Sequence, residues 1–554
     1  MKPIRQLFLS ALSLFLVAPP ALAQDTHAPT WHFPLQAAGT AAQRTLWGYM
    51  GSCTDWPTSS ADYGFMAFTA GASPTFSDLL VDAVHTMSPN GGGALHDGLY
   101  DAVHYVKEEN MLKVTHYQFS TDGKWHSTIV PTLVSDPTLI ATETASSRAT
   151  GKVYGQFYNN ALSGFEFGVI DYDAMERTTI AESQHKYVAL GVTSYEAVYG
   201  VATDGNLYRI DTETGEERLV GPTGVSVAES SRQSYGQSGE IDQDDDIFYW
   251  ACIDKDKHAA LYTVDLASGA ATLIADMPHD EQILGMGIPD ATPSAAAPAA
   301  VADFRIAFDG GSTSGTVSFT APTKTYGGAS LSGSVSYTVK ANQRTIASGT
   351  ATPGQQVSAP VSVREGTTYF RLQVSNEAGA APVVRKTQYV GFDEPLPPTS
   401  ARLSISTSGQ ATVTWGAPQR CVNDGYVGPL TYDVVRYPGT VTVASSTENR
   451  SLSEQLPDQL GNYIYAITAI NGTKRSQPAN TNAVRYGSSI EPTYTETFDT
   501  QDAFNLYKVI NANNDNYTWK WHEVLQCAQY EANLGCAADD WLVSPPIHLQ
   551  ANHV

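Results

Sequence analysis

Three copies of one short pattern constrain this chain most: an alternating strand ending in Asp, a polar turn, and a second apolar strand. The copies are FGVIDYDAMERTTI from Phe167, LYRIDTETGEERLV from Leu207 and LYTVDLASGAATLI from Leu261. Their anchors are Asp171, Asp211 and Asp265, spaced by 40 and 54 residues. A weaker fourth copy runs from Tyr117 through Asp122 and Gly123 to Trp125. The last two clear copies each follow a further strand pattern, at 199–205 and 247–252. Period-two alternation marks strands, and recurrence every ~40–50 residues marks four-stranded blades around an axis. One small twisted sheet cannot bury both of its faces alone, whereas blades packed around an axis can. Asp204-Gly205 and Thr214-Gly215 supply the positive-φ residues of tight hairpins. No long amphipathic helical pattern interrupts residues 24–290, which are therefore expected to form a β-propeller-like domain of five or six blades.

Residues 291–302 (ATPSAAAPAAVA) lack periodicity and read as a linker. Two segments of seven or so short alternating runs follow, at 303–394 and 395–487, which indicates β-sandwiches. In the second, Trp415 sits on one alternating run, Tyr432, Val434 and Arg436 on the next, and Leu456, Leu460 and Tyr463 precede a long alternating strand. These residues resemble a fibronectin type III domain. The first segment follows the same plan with Phe319, Tyr337 and the run Tyr369-Phe-Arg371-Leu-Gln-Val374, without the Trp. Residues 24–290 resemble the propeller-like N-terminal regions of Bacteroidetes surface proteins, through their LYxxD-turn repeats alone.

The final segment, 488–554, carries Glu496-Thr-Phe-Asp499, a run from Asn511 to Trp519, and Asp539-Asp540-Trp541-Leu-Val-Ser-Pro-Pro-Ile547. This succession resembles the opening half of a cleaved-adhesin (choice-of-anchor J) jelly roll. The resemblance implies Ca²⁺ as a ligand, with Glu496, Asp499, Asp539 and Asp540 as the metal-binding carboxylates. The bland reading is that Asp539 and Asp540 cap a strand turn, with Trp541 and Leu542 in the core. A half jelly roll leaves strands unpaired, so the chain is expected to be a fragment.

Lys2 and Arg5 precede an apolar run from Leu7 to Val17, and Ala21-Leu22-Ala23 follows it. That is a signal peptide over residues 1–23, and it places the protein outside the cell, secreted or on the outer surface. No other run reaches transmembrane length. With 56 acidic against 32 basic side chains the net charge is −24, which opposes nucleic acid or anionic lipid as partner. Five cysteines (Cys53, Cys252, Cys421, Cys527 and Cys536) leave at least one unpaired within the chain. Cys527 with Cys536, and Cys53 with Cys252, are the pairs considered.

No catalytic constellation stands out. The G-x-S-x-G elbow is missing, and His522-Glu523 lacks the second His of a zinc hydrolase. His85, His96, His104, His116 and His126 read as surface or blade-edge residues rather than metal ligands. Asp242, Asp244, Asp245 and Asp246, in IDQDDDIF, read as an exposed acidic turn rather than a Ca²⁺ loop. Trp47, Trp56, Trp125 and Trp250 read as inter-blade core more readily than as sugar-stacking platforms. The expectation is a non-enzymatic binding or adhesion protein that recognises an extracellular protein or glycan. The alternative is the non-catalytic accessory part of a secreted hydrolase whose catalytic domain lies elsewhere.

Overall fold

The computed structural model describes residues 44–52, 64–79, 92–96, 98–108, 111–120, 125–129, 139, 141–159, 163–228, 236–492, 494–514, 517–531 and 539–548. The leader at 1–23 and residues Cys53, Trp56, His85, Asp97, Asp122 and Cys536 lie outside them. Among the described residues strands dominate, and the one α-helix has four residues. The protein is all-β, as its sequence indicates. Two compact units divide the chain: 1–302, 320–355 and 369–386 in the first, and 303–319, 356–368 and 387–554 in the second.

Among the described residues the first unit contains five four-stranded antiparallel sheets. β1 (Arg44–Ser52), β2 (Gly64–Ala70) and β3 (Phe76–Leu79) begin one sheet. β4 (Gly93–His96), β5 (Leu99–Glu108), β6 (Met111–Ser120) and β7 (Trp125–Ile129) form the next. The third comprises β8 (Ala141–Ser146), β9 (Val153–Asn159), β10 (Gly164–Asp171) and β11 (Glu176–Ser183). The fourth comprises β12 (Tyr187–Val192), β13 (Val198–Ala202), β14 (Asn206–Ile210) and β15 (Glu217–Pro222). The fifth comprises β16 (Ser238–Asp242), β17 (Ile247–Ile253), β18 (Ala259–Val264) and β19 (Ala271–Asp276). Finally β20 (Gln282–Gly287) pairs back onto β1 and completes the first sheet. β4 lies beside β8, β8 beside β12, β12 beside β16, β16 beside β20, and β20 beside β4, so the five inner strands close a ring.

The ring exists because no single sheet can bury both faces. β13 is buried throughout, whereas the outer strands β11, β15 and β19 are mostly half-buried or exposed. Each apolar cluster draws on two neighbouring sheets: Tyr199, Val201 and Leu207 pack with Phe248, Trp250 and Val264. A five-membered ring is also narrow. A Cβ on Gly239 would lie 2.6 Å from the Cβ of Ala189, so β12 and β16 can approach this closely only over glycine. The three sequence repeats fall on the third strand of their sheets, β10, β14 and β18, and each terminal Asp holds the following turn. Asp211 Oδ1 accepts from the amides of Glu213 at 3.0 Å and Thr214 at 2.8 Å. Asp265 accepts from Ala267 N at 3.0 Å, and Asp171 from Ala174 N at 2.9 Å.

A four-stranded antiparallel sheet returns the chain to the end where it started. Connections between first and second strands therefore share one end of the ring. Connections from second to third strand, and from one sheet to the next, share the other.

Residues 303–394 supply β21 (Arg305–Phe308), β22 (Ser314–Thr320), β23 (Val335–Ala341), β24 (Arg344–Ala351), β25 (Gln356–Ser362), β26 (Gly366–Asn376), β27 (Gly379–Ala380) and β28 (Val384–Val390). One sheet has the order β21-β22-β25; the other runs β24-β23-β26-β27, with β28 also on β26. Strands β23 and β24 belong to the first unit, β21 and β25 to the second.

The second unit also holds β29 (Thr399–Ile405), β30 (Gln410–Gly416), β31 (Leu430–Tyr437), β32 (Val441–Thr447), β33 (Ser451–Gln455), β34 (Gly461–Asn471), β35 (Lys474–Arg475), β36 (Ala479–Asn480) and β37 (Val484–Tyr486). The order β29-β30-β33 forms one sheet, and β32-β31-β34 the other, with β35, β36 and β37 on β34. Trp415 meets Tyr432 edge to face at 5.4 Å between centroids, and Tyr463 donates from its hydroxyl to Gln459 O at 3.0 Å. These are the core Trp and the tyrosine corner that the fibronectin type III resemblance implies. Before this sandwich, buried Asp393 accepts from Asn423 N and Gly425 N, each at 2.9 Å, from Glu394 N at 2.8 Å and from Asn423 Nδ2 at 2.8 Å. The carboxylate thus ties the stretch entering the sandwich to the loop after β30.

The end of the chain holds α1 (Gln501–Phe504), β38 (Lys508–Asn511), β39 (Trp519–His522), β40 (Cys527–Tyr530) and β41 (Asp540–Val543). They pair as two ribbons, β38-β41 and β39-β40. Trp541, expected in a core, is 61 % exposed. It stands opposite Ile510 across the ribbon, on a face that no described strand covers, while Val509 and Leu542 are half-buried on the other face.

Candidate functional site

The acidic stretch 242–246 is exposed at Asp245 alone, and so is not the exposed turn its sequence suggests. Asp242 is buried and Asp244 and Asp246 are half-buried, because arginines from distant segments reach them. Arg44 Nη2 donates to Asp242 Oδ1 at 2.9 Å. Asp244 pairs with Arg44 and Arg148, each at 3.3 Å, and with Arg385. Burial pushes the Asp244 carboxyl up, but the Arg148, Arg385 and Arg44 guanidiniums outweigh it and hold the group below its usual range. Asp246 accepts from Ser194 N at 2.7 Å and pairs with Arg371 Nη2 at 2.7 Å. Arg371 Nη1 also donates to Gln243 O at 2.6 Å.

Arg371 and Arg385 lie on β26 and β28, and the Gln343 side chain, just before β24, reaches the Tyr195 hydroxyl. Residues 193–197 and 243–246 both join first to second strands. This end of the ring is therefore taken by the chain's own next sheet.

The axis beneath that end is lined by carboxylates. Glu143 on β8 is fully buried; its Oε1 accepts from Ser238 Oγ at 3.0 Å, and Ser238 Oγ in turn accepts from Met286 N at 2.8 Å. Glu143 Oε2 has no hydrogen-bond partner among the described residues. Glu240 on β16 is also buried, and accepts from Ile241 N at 2.9 Å and Ser146 N at 3.4 Å. Ser146 Oγ donates to Leu95 O at 2.6 Å, and Gln243 Nε2 to Ser146 O at 2.6 Å. Burial raises both glutamates, Glu143 well above the carboxylate range and Glu240 to about 8.

Connections at the opposite end carry a different set. His185, between β11 and β12, stacks on Tyr208 at 4.0 Å between centroids, and its Nδ1 lies 2.5 Å from Glu217 Oε2. The Tyr208 hydroxyl donates to Asp204 Oδ2 at 2.7 Å. Burial, then the Asp204 hydrogen bond, pushes Tyr208 up to about 12, while donors from Asn206 and Tyr208 overcome burial and lower Asp204. His258 lies 3.7 Å from Asp280, both on connections at this end. The arrangement offers an imidazole face, carboxylates and amides to a ligand that hydrogen-bonds and stacks.

The four carboxylates of the last segment are held separately. Glu496 accepts from Phe498 N at 2.8 Å, and Asp499 from Thr497 Oγ1 at 2.8 Å. Asp539 accepts from Trp541 Nε1 and Asp540 from the Tyr530 hydroxyl, each at 3.1 Å; Asp540 Oδ1 is buried without a partner among the described residues. Among the described residues no three His, Cys, Asp or Glu side chains gather to hold a metal. Trp47 and Trp250 are buried, and Trp250 packs between neighbouring sheets. Cys252 and Cys421 are buried thiols, and burial raises both. Among the described residues no helix is long and apolar enough to cross a membrane.

No family model matches the chain, and no curated protein is similar to it. Among solved structures, the FN1–FN3 domains of chicken CNTN1 align at 13 % identity over 45 % of this chain and 90 % of that one, with a TM-score of 0.20. A two-domain fibronectin type III segment from chicken tenascin aligns at 15 % identity over 34 % of this chain and 99 % of that one, with a TM-score of 0.16. At these scores the likeness carries no argument; the strand orders and the Trp415 and Tyr463 contacts carry the sandwich assignment.

Several residues that build these sites gave little signal in the sequence. Glu143 sits in ATETAS, a short polar alternation that looks like a solvated strand. Arg371 lies where a fibronectin-like strand is expected to show its outer face. His185 stands alone between two strands. Each gains its role from a neighbour more than 20 residues away, which spacing does not reveal.

Proposed function

We propose that this is a multidomain binding protein, secreted or displayed on the outer cell surface, which recognises an extracellular protein or glycan. In this reading the ring is a five-bladed β-propeller. One relationship supports the reading: Arg371 and Arg385 seat a neighbouring sheet on Asp246 and Asp244, so one end of the ring is already used. The other end, where His185, Asp204 and Tyr208 lie, is left to present to a partner. The sandwiches act as spacers. The strongly acidic surface keeps nucleic acid and anionic lipid away.

Residues 24–554, screened against glycan arrays and a panel of extracellular matrix proteins, test this directly. Binding lost on His185→Ala or Asp204→Ala, with melting unchanged, supports the reading; binding that ignores both substitutions, or no binding at all, contradicts it. Calcium at the last segment belongs to the same proposal, resting on the unpartnered Asp540 Oδ1 with Glu496, Asp499 and Asp539 as the further carboxylates. A Ca²⁺-dependent rise in melting that Asp540→Asn abolishes is the expected result.

A further inference from the structure

We propose that Glu217 is a positioning residue that fixes His185 Nε2 as a hydrogen-bond acceptor, and that this acceptor takes a hydroxyl of a neutral sugar. The inference rests on the reading of this end of the ring as the one that presents to a partner. His185 is held from two sides. Its Nδ1 lies 2.5 Å from Oε2 of Glu217, at the start of β15, and its ring stacks on Tyr208 of β14 at 4.0 Å between centroids. The Glu217 side chain is 2 % exposed and that of His185 29 %, so the carboxylate is buried while the imidazole reaches solvent. Tyr208 is fixed in turn: its hydroxyl donates to Asp204 Oδ2 at 2.7 Å, and Asp204 also accepts from Asn206 N and Nδ2, each at 2.9 Å. A histidine that merely meets solvent needs none of these supports.

The hydrogen bonds set which ring nitrogen carries the proton. Glu217 Oε1 accepts from Gln184 N at 3.0 Å, a backbone donor that cannot reverse its polarity. A carboxylate only accepts, so Nδ1, which faces the other oxygen, carries the proton. In the neutral ring Nε2 then carries a lone pair. Among the described residues nothing bonds Nε2, which is reached by solvent.

The same contacts select the ligand's chemistry. Glu217 serves Gln184 and His185, and Asp204 serves Asn206 and Tyr208, so both carboxylates are engaged inward rather than aimed at a cationic ligand. Their negative charge opposes an anionic one. What remains is a neutral acceptor beside Gln184, an exposed residue whose amide both donates and accepts. Adjacent hydroxyls of a pyranose donate and accept in the same way, and a neutral sugar brings no charge to desolvate.

The tautomer is read without any ligand, by NMR of the full chain labelled with ¹⁵N-histidine at about pH 8.5, where a free imidazole is neutral. His185 is assigned by the signals that His185→Phe removes. The wild type is expected to show a protonated Nδ1 and an unprotonated Nε2. Glu217→Gln keeps the shape but offers one carbonyl oxygen to two donors. Gln184 N cannot change, so the amide NH₂ turns to Nδ1, the proton moves to Nε2, and the two nitrogen shifts exchange. Binding is read on an array of neutral glycans and on the same glycans O-methylated, which accept hydrogen bonds but no longer donate them. The wild type is expected to bind a hydroxyl-bearing glycan and to lose it on O-methylation. Glu217→Gln should weaken that binding by about 10-fold or more, and His185→Phe, which keeps a ring on Tyr208, should abolish it. A wild-type ring with its proton on Nε2 overturns the proposal whatever binds. Glycan binding that survives O-methylation or ignores Glu217→Gln overturns it too. If Glu217→Gln does not fold, glycan binding retained in His185→Phe overturns it equally. A matrix protein bound at this end, with no neutral glycan bound, overturns the sugar and leaves the end a presenting one. Binding of neither class removes that reading, and the proposal with it.

Discussion

Arg371 Nη2 sits 2.7 Å from Asp246 Oδ2, with the two side chains only 4 % and 13 % exposed. The same guanidinium donates to the carbonyl of Gln243, so its charge and two of its donors are satisfied within the turn after β16. A sheet from the segment that follows the ring is thereby fixed to one end of it. A pair this dry is costly to break, because removing one side leaves the other charge buried without compensation.

Arg371→Ala should therefore destabilise the first unit by about 3–5 kcal/mol. Asp246→Asn should cost a similar amount, since it leaves the Arg371 guanidinium buried without its counter-charge. Urea denaturation of the full chain reads both. A loss below about 1 kcal/mol for Arg371→Ala would mean that the contact behaves as a surface ion pair.

In the second unit, Asp393 is the acceptor on which one joint depends. Asn in its place presents an amide to the N–H groups of Asn423 and Gly425, which now both face Asp393 Oδ2. Asp393→Asn should cost about 2–4 kcal/mol, as hydrogen bonds to a charged, buried acceptor are lost. Increased cleavage within residues 417–428 by limited proteolysis is the accompanying sign; unchanged melting and cleavage would contradict the assigned role.

The repeat aspartates predict behaviour in acid. Hydrogen bonds from turn amides lower both Asp211 and Asp265 below the usual range. A depressed folded-state pKa gives stability that is present above the ordinary Asp value and lost as pH falls through the folded one. Asp211→Asn with Asp265→Asn should reduce the acid sensitivity of melting below about pH 4, a small effect because both groups are largely solvated. An unchanged acid limb in the double variant would count against these caps.

These aspartates also show what the sequence makes legible. The Asp-turn repeats marked the third strands of three sheets, because a strand end and its turn are local and the Asp must sit one fixed step from the amides it caps. Trp415, Tyr432 and Tyr463 were legible for a similar reason, since a sandwich core repeats every second residue along a strand. In the acidic stretch 242–246 Asp245 is exposed as expected, but Asp242, Asp244 and Asp246 were misread, because their meaning lies in Arg44, Arg148, Arg371 and Arg385, up to 200 residues away. Glu143 was invisible for the opposite reason: ring closure buries a residue whose strand looks polar. Trp541 was placed in a core that its two-stranded ribbon does not provide.

The central claim is that one end of the ring is sealed by the chain itself and the other presents to a partner. Hydrogen–deuterium exchange footprinting with a partner identified from the arrays measures this most directly. New protection is expected at residues 184–186, 203–205 and 254–258, and none at 193–197 or 242–246. Protection confined to the latter two segments, or to the sandwiches alone, would contradict it.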